Sequence, residues 1–131
     1  PLMDQNFVFL LEKCSMGNLI GNEKIYNSDK VSCCVIATSK GYPHEYKTGY
    51  PIKIGKIDSY DFQIFDSGTS LSKNGELLTN GGRVLSIVSQ EKNFDMAFEK
   101  AYKNLKEINF EGIYFRKDIG RQVRTNFSKN N

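Results

Sequence analysis

A chain of 131 residues with a net charge of +3 has room for one domain with a core of its own, and its 18 Lys and Arg are interspersed with 15 Asp and Glu, which argues against a nucleic-acid-binding stripe. Cys14, Cys33 and Cys34 make no disulfide framework and, with the single histidine His44, no zinc set; they read as small buried hydrophobes in a reducing cytoplasm. No apolar run reaches membrane-spanning length and no signal peptide opens the chain, whose start at Pro1 reads as a processed product or a segment of a longer protein.

From Asp4 to Cys14, the residues Phe7, Leu10, Leu11 and Cys14 recur at helical spacing, with Asp4 placed to cap the helix and Gly17 to end it. Gly17 to Lys30 mixes glycines with Asn and Asp and reads as a connector that holds a domain boundary. Val31 to Thr38 is β-branched and nearly continuous in its apolar character, which predicts a central strand buried on both faces. Ser39-Lys40-Gly41-Tyr42-Pro43 is a turn, followed by a long loop with a short strand near Ile52.

Phe62 to Phe65 predicts a strand that ends in the turn Asp66-Ser67-Gly68-Thr69. Beyond a second turn at Asn74-Gly75, the pair Leu77-Leu78 leads into Thr79-Asn80-Gly81-Gly82-Arg83 and a further strand, Val84 to Ser89. Asn-Gly between two apolar runs predicts a type I′ turn with positive φ at both central residues, so the segment reads first as an antiparallel hairpin or meander. Asn93 is placed to cap the clearest helix, in which Phe94, Ala97, Phe98, Ala101, Tyr102, Leu105 and Ile108 form a core-facing stripe. Glu99 and Lys103 form an i,i+4 pair on its other side. Gly112 ends this segment, Ile113 to Phe115 is a last short strand, and from Ser128 the polar tail reads as disordered. The fold class is α+β: a mainly antiparallel sheet with one long amphipathic helix packed on it, preceded by a short N-terminal helix.

No nucleophile-base pair, HExxH, GxGxxG or P-loop is present, so no residue is assigned a catalytic or metal-binding role. The candidates for chemistry are the polar turns at strand ends: Ser39 to Pro43, Asp66 to Thr69, Thr79 to Arg83 and Arg116 to Gly120. Gly81 and Gly82 let the backbone approach a ligand closely, and successive N–H groups from Asn80 onward beside the Arg83 guanidinium suit a phosphate or carboxylate. Lys117 and Asp118 suit the ordering of a ligand through charge-assisted hydrogen bonds, against the plainer reading of a weak exposed ion pair. Taken singly, each turn is a turn before it is a site. On the residues alone, a stand-alone α+β module for a phosphorylated ligand or an acidic partner stands.

Four short blocks, in order, carry a resemblance: Gly-Tyr-Pro within Ser39 to Pro43, Ser-Gly-Thr closing Phe65 to Thr69, Thr-Asn-Gly-Gly-Arg-Val-Leu from Thr79 to Leu85, and Phe-Arg-Lys-Asp-Ile-Gly from Phe115 to Gly120. From about Ser28 to Arg124 the chain resembles the C-terminal domain of phosphoribosylamine-glycine ligase, also called glycinamide ribonucleotide synthetase, an ATP-grasp enzyme. The resemblance implies residues 1–22 as the closing helix of the preceding ATP-grasp domain with its connector, and residues 23–131 as the C-terminal ligase domain. It implies a cytoplasmic enzyme of de novo purine synthesis whose small-molecule substrates are glycine, 5-phosphoribosylamine and ATP. ATP and magnesium are then held mainly by the upstream domain, no cofactor is bound by this fragment alone, and the fragment is inactive without that domain, its partner in the same chain. Neither a nucleic acid nor a membrane is implied. Carried over by position, Asn80, Gly81, Gly82 and Arg83 match one substrate-facing block and Lys117, Asp118 and Gly120 a second. The chain departs from the family pattern at Asp66, usually His, at His44, usually Gly, and at Arg121, often His or an aromatic, so no role is carried to those three.

Overall fold

The computed structural model describes residues 1–19, 26–57 and 60–124. Part of the connector expected between Gly17 and Lys30, and the tail from Ser128, lie outside the described residues. The elements run α1 (Phe7–Ser15), β1 (Val31–Ser39), β2 (Lys53–Ile54), β3 (Phe62–Asp66), β4 (Thr69–Leu71), β5 (Leu77–Thr79), β6 (Arg83–Glu91), α2 (Phe94–Leu105), β7 (Ile108–Asn109) and β8 (Ile113–Tyr114). The main sheet is four-stranded in the order β3-β6-β1-β8, and its pairings are antiparallel. Two small ribbons, β2-β7 and β4-β5, complete an α+β fold.

The central register sets Cys33 opposite Ser89, Val35 opposite Ile87 and Ala37 opposite Leu85, all on one face. That face meets α2 through Ala97, Phe98, Ala101 and Leu105, and these side chains form the core with Val84 and Phe62. The periodic stripe of α2 therefore does what its spacing predicts. Asn93 accepts a bond from the Met96 amide at 2.9 Å and caps the helix. Ile108 has left the helix, which stops at Leu105, and is buried in β7 instead. The expected Glu99–Lys103 pair is not closed; on the neighbouring turn Lys100 reaches back to Glu91 at 3.1 Å, where a part-buried carboxylate at the strand end holds it better.

Burial along β1 alternates: Cys33, Val35, Ala37 and Ser39 are buried, whereas Cys34 is exposed and Ile36 half-buried. The expectation of burial on both faces is thus corrected, since among the described residues α2 alone covers this sheet and the opposite face keeps contact with solvent. The cysteines follow suit. Cys33 alone is buried, while Cys14 and Cys34 are exposed.

At the N-terminus the cap is Asn6 rather than Asp4: its side chain accepts from the amides of Val8 and Phe9 at 3.0 and 3.3 Å. Asp4 is held outside the helix because its amide donates to the Tyr26 carbonyl. Gly17, at φ +70°, ends the helix as expected. No α1 residue is buried, and Phe7, Val8, Phe9 and Leu11 are all exposed, so its apolar positions are not covered by the described part of the chain.

The largest departure concerns the segment Thr79 to Arg83. β5 does not pair with β6. One edge of β5 is taken by β4, and the other by the preceding loop, where the amides of Gly49 and Ile52 donate to Thr79 and Leu77 and the Thr79 amide donates to Tyr50. With both edges of β5 engaged, the chain crosses from the small ribbon into the main sheet, and neither Asn80, Gly81 nor Gly82 takes positive φ. The Asn-Gly hairpin expected here is replaced by the β4-β5 hairpin, whose turn holds Gly75 at φ +80°.

Candidate functional site

The crossover places Thr79 to Arg83 against two other turns. The Ser39 amide and hydroxyl donate to the carbonyls of Gly82 and Gly81 at 2.8 and 2.9 Å. The Asn80 amide donates to the Gly68 carbonyl at 2.7 Å, and the amides of Ser67 and Gly68 both donate to the Val84 carbonyl. Three of the four polar turns are therefore bonded to one another at one end of the main sheet. The glycines are there for space. A Cβ on Gly68 would lie 2.6 Å from the Arg83 carbonyl oxygen and 2.7 Å from Gly81 Cα, and a Cβ on Gly82 would lie 2.1 Å from the Tyr42 ring.

The fourth turn reaches the same region from β8. Thr38 donates through its hydroxyl to the Tyr114 carbonyl, and the segment beyond is tied to α2, where the Tyr102 hydroxyl donates to the Arg116 carbonyl at 2.7 Å. Burial pushes the Tyr102 phenol above its ordinary range, so it remains a donor. Tyr102 also packs against the Phe115 ring, with centroids 6.2 Å apart.

Between these turns lies a cavity of about 320 Å³ on the face of the sheet opposite α2. Arg83 and Arg116 line it together with Thr38 and Tyr42, over an apolar floor that includes Ile36, Phe115 and Ile119. Among the described residues Arg83 has no ion-pair partner. A larger and more polar cavity of about 550 Å³ is lined by Lys40 and Gly41 of the Ser39 to Pro43 turn together with Lys47, Glu45, Glu111, Tyr46 and Tyr50, and includes none of the substrate-binding residues assigned by position.

The predicted residues are thus distributed unevenly. Arg83 lines the smaller cavity, whereas Gly81 and Gly82 do not; their carbonyls are bonded to Ser39 beside it. Asn80 is exposed, its amide bonded to Gly68. Lys117 and Asp118 are exposed and do not line this cavity. The acidic partner of the second block is not paired with Lys117: Arg116 donates from Nε and Nη2 to the two Asp118 oxygens at 2.9 and 2.7 Å. Arg116 and Tyr42 lie within two of the candidate turns, although neither carries an individual ligand role on the sequence alone. The signal for Arg116 is an opposite charge two residues away at Asp118, and the bend at Lys117 between them brings the two side chains together.

The Arg116 guanidinium holds the Asp118 carboxyl below the usual carboxylate range, and Asp118 in turn raises Arg116. Because the folded-state value is lowered, the pair contributes only above the ordinary carboxyl value and is lost as pH falls through the folded one. Carbon-detected NMR titration of Asp118 should give a midpoint below 3.8, and Arg116→Ala should return it toward that value. A midpoint that ignores Arg116→Ala would contradict the pairing. Both side chains are exposed, so little stability rides on it.

Among the described residues no group of three or more His, Cys, Asp or Glu comes together that could hold a metal ion. No described helix is long and apolar enough to cross a membrane.

The profile of the family described as "Phosphoribosylglycinamide synthetase, C domain" matches residues 32–122. The chain is 43% identical over 119 residues to a phosphoribosylamine–glycine ligase of Caldanaerobacter subterraneus subsp. tengcongensis, covering 91% of this chain and 28% of that protein. It is 33% identical over 121 residues to the human trifunctional purine biosynthetic protein adenosine-3, covering 92% of this chain and 12% of that one. Its fold matches the crystal structure of a phosphoribosylamine–glycine ligase from Thermotoga maritima with a TM-score of 0.70 and 28% identity, over 86% of this chain and 27% of the other. The chain therefore spans less than a third of the length of these relatives.

Proposed function

The chain belongs to the phosphoribosylglycinamide synthetase C-domain family, and on that premise we propose that it is the C-terminal part of a cytoplasmic ligase joining glycine to 5-phosphoribosylamine at the cost of ATP. Its part is a wall of the substrate cleft. The observation that carries this reading is the bonding of three polar turns at one sheet end around Arg83, which lines a cavity and has no carboxylate partner among the described residues. Such a cation suits the phosphate of phosphoribosylamine or the carboxylate of glycine. Asn80, Gly81 and Gly82 hold the loop that presents it, with Lys117 and Asp118 at the border of the same cleft.

On this reading ATP and magnesium are held by the upstream part of the ligase. When bound, the nucleotide supplies the phosphoryl group that activates glycine. This chain contributes binding and orientation. In the same reading, residues 1–22 close the upstream domain and residues 23–131 form the C-terminal one; the uncovered Phe7, Val8, Phe9 and Leu11 of α1 supply an apolar surface for that packing.

This chain alone should release no ADP when given ATP, glycine and 5-phosphoribosylamine, whereas the chain joined to its upstream part should. In the joined enzyme Arg83→Ala should raise the KM of phosphoribosylamine or of glycine about tenfold or more, the cost of one lost charge-assisted contact of ~1.5–3 kcal/mol. Turnover by this chain alone, or two unchanged KM values, would refute the assignment.

A further inference from the structure

We propose that Arg116 is the second guanidinium of the Arg83 cavity, that the two together take a phosphate monoester, and that Asp118 is a positioning residue for Arg116 and not a ligand of the substrate. The inference rests on the reading above in taking a sugar phosphate as the occupant, and it moves the second binding block from Lys117 and Asp118 to their neighbour.

Three observations carry it. Arg116 lines the same cavity as Arg83, and Lys117 and Asp118 do not. Asp118 uses the Nε and Nη2 groups of Arg116, so the Nη1 edge of the fork is left over for a ligand. The Arg116 backbone is fixed through its carbonyl to Tyr102 on α2, which removes freedom that a phosphate would otherwise have to restrain.

The occupant follows from the lining. A phosphate monoester carries close to two negative charges near neutral pH and presents three acceptor oxygens, which suits two planar forks better than one. The rest of the lining is mainly apolar, at Ile36, Phe115 and Ile119, with Thr38 and Tyr42 beside them. That surface fits the carbon skeleton and hydroxyls of a small sugar, and leaves no carboxylate in the cavity lining to take an ammonium group. Asp118 reduces the net charge at the border of the site; in exchange it fixes the direction of a long side chain that is exposed on its other side.

The test is calorimetric and NMR titration of this chain with ribose 5-phosphate, with ribose as the uncharged control. Ribose 5-phosphate should bind saturably and move the amides of Thr38, Arg83 and Arg116, and ribose should not. Arg83→Ala and Arg116→Ala should each weaken binding about tenfold, Arg116→Lys should fall between wild type and Arg116→Ala, and Lys117→Ala should change nothing. Asp118→Asn should weaken binding several-fold in the wild-type background, Asp118→Glu should restore it, and in the Arg116→Ala background Asp118→Asn should have no effect. An unchanged affinity in Arg116→Ala, a loss in Lys117→Ala, or an Asp118→Asn effect that persists without Arg116 would overturn the proposal. The readout needs no ligase activity. Intact binding beside an inactive joined enzyme would sink the proposed function alone, and turnover beside absent binding would sink this site alone.

Discussion

Gly68→Ala should unfold this chain more readily than the same change at most other glycines, by about 3 kcal/mol, because the added methyl meets main chain and not side chain. The Cβ would stand 2.6 Å from the Arg83 carbonyl oxygen, 2.7 Å from Gly81 Cα and 3.0 Å from the Gly81 nitrogen. These atoms cannot rotate away. They belong to a crossing held by the Asn80 amide on the Gly68 carbonyl and by the Gly68 amide on Val84, so relief requires two segments to separate. Gly81→Ala provides the comparison across the same contact. Its Cβ has Gly68 Cα at 3.0 Å and nothing else nearer than 3.7 Å, so a small shift suffices and the cost should be nearer 1 kcal/mol. Gly75→Ala, at φ +80° with open space around the methyl, should cost ~1 kcal/mol through backbone conformation alone. Urea unfolding midpoints at constant slope rank the three. Gly68→Ala no worse than Gly75→Ala would mean that the two loops do not cross as described. The change should also weaken ligand binding, since the displaced carbonyl is that of Arg83 itself.

That crossing explains why the stretch forms no hairpin although its sequence signals one. Asn80-Gly81 satisfies every local requirement of a type I′ turn, and local chemistry alone decides for it. What overrules it is nonlocal: β4 and the Gly49 to Ile52 loop occupy both edges of β5 before β6 can pair with it. The glycines look alike in sequence whether they supply positive φ or clearance, and here they supply clearance toward Gly68 and Tyr42. Val31 to Thr38 is a similar case. A continuous apolar run announces a strand correctly, but whether one or two layers cover it depends on elements far away in sequence, and among the described residues a single helix packs on this sheet. By contrast α2 was legible in its stripe as far as Leu105 and in its Asn93 cap, because its period and its capping bond lie within the segment itself; only Ile108 falls beyond it, in β7.

The site was legible in its parts and not in its assembly. Strand-end turns rich in Gly, Ser, Arg and Lys could be picked out one by one, but the bonds from Ser39 to Gly81 and Gly82 join residues some forty positions apart. Arg116 opens one of those turns, yet Lys117-Asp118 looks like the ion pair in sequence; the chain bends at Lys117, and the acid finds the residue two positions back.

The second large effect is expected at Gly120, where the turn after Arg116 is docked on the helix. Gly120 has φ +73°, and a Cβ there would lie 2.2 Å from both Cε2 and Cζ of Phe98. Phe98 is 4% exposed within the core, so its ring has no room to retreat. Gly120→Ala therefore combines a left-handed backbone penalty of ~1–2 kcal/mol with overpacking of ~1–3 kcal/mol, about 3 kcal/mol together. The loss should appear first as release of the segment from Arg116 to Arg124, because the Tyr102 hydroxyl then keeps Arg116 without support from the turn that follows. Phe98→Leu shortens the opposing ring. Alone it should destabilise by about 1–2 kcal/mol through imperfect packing, yet combined with Gly120→Ala it should cost less than the sum of the two, since the methyl occupies the space the ring vacates. Strict additivity in that double-mutant cycle would show that Gly120 and Phe98 do not touch, and would remove the anchor on which the position of Arg116 depends.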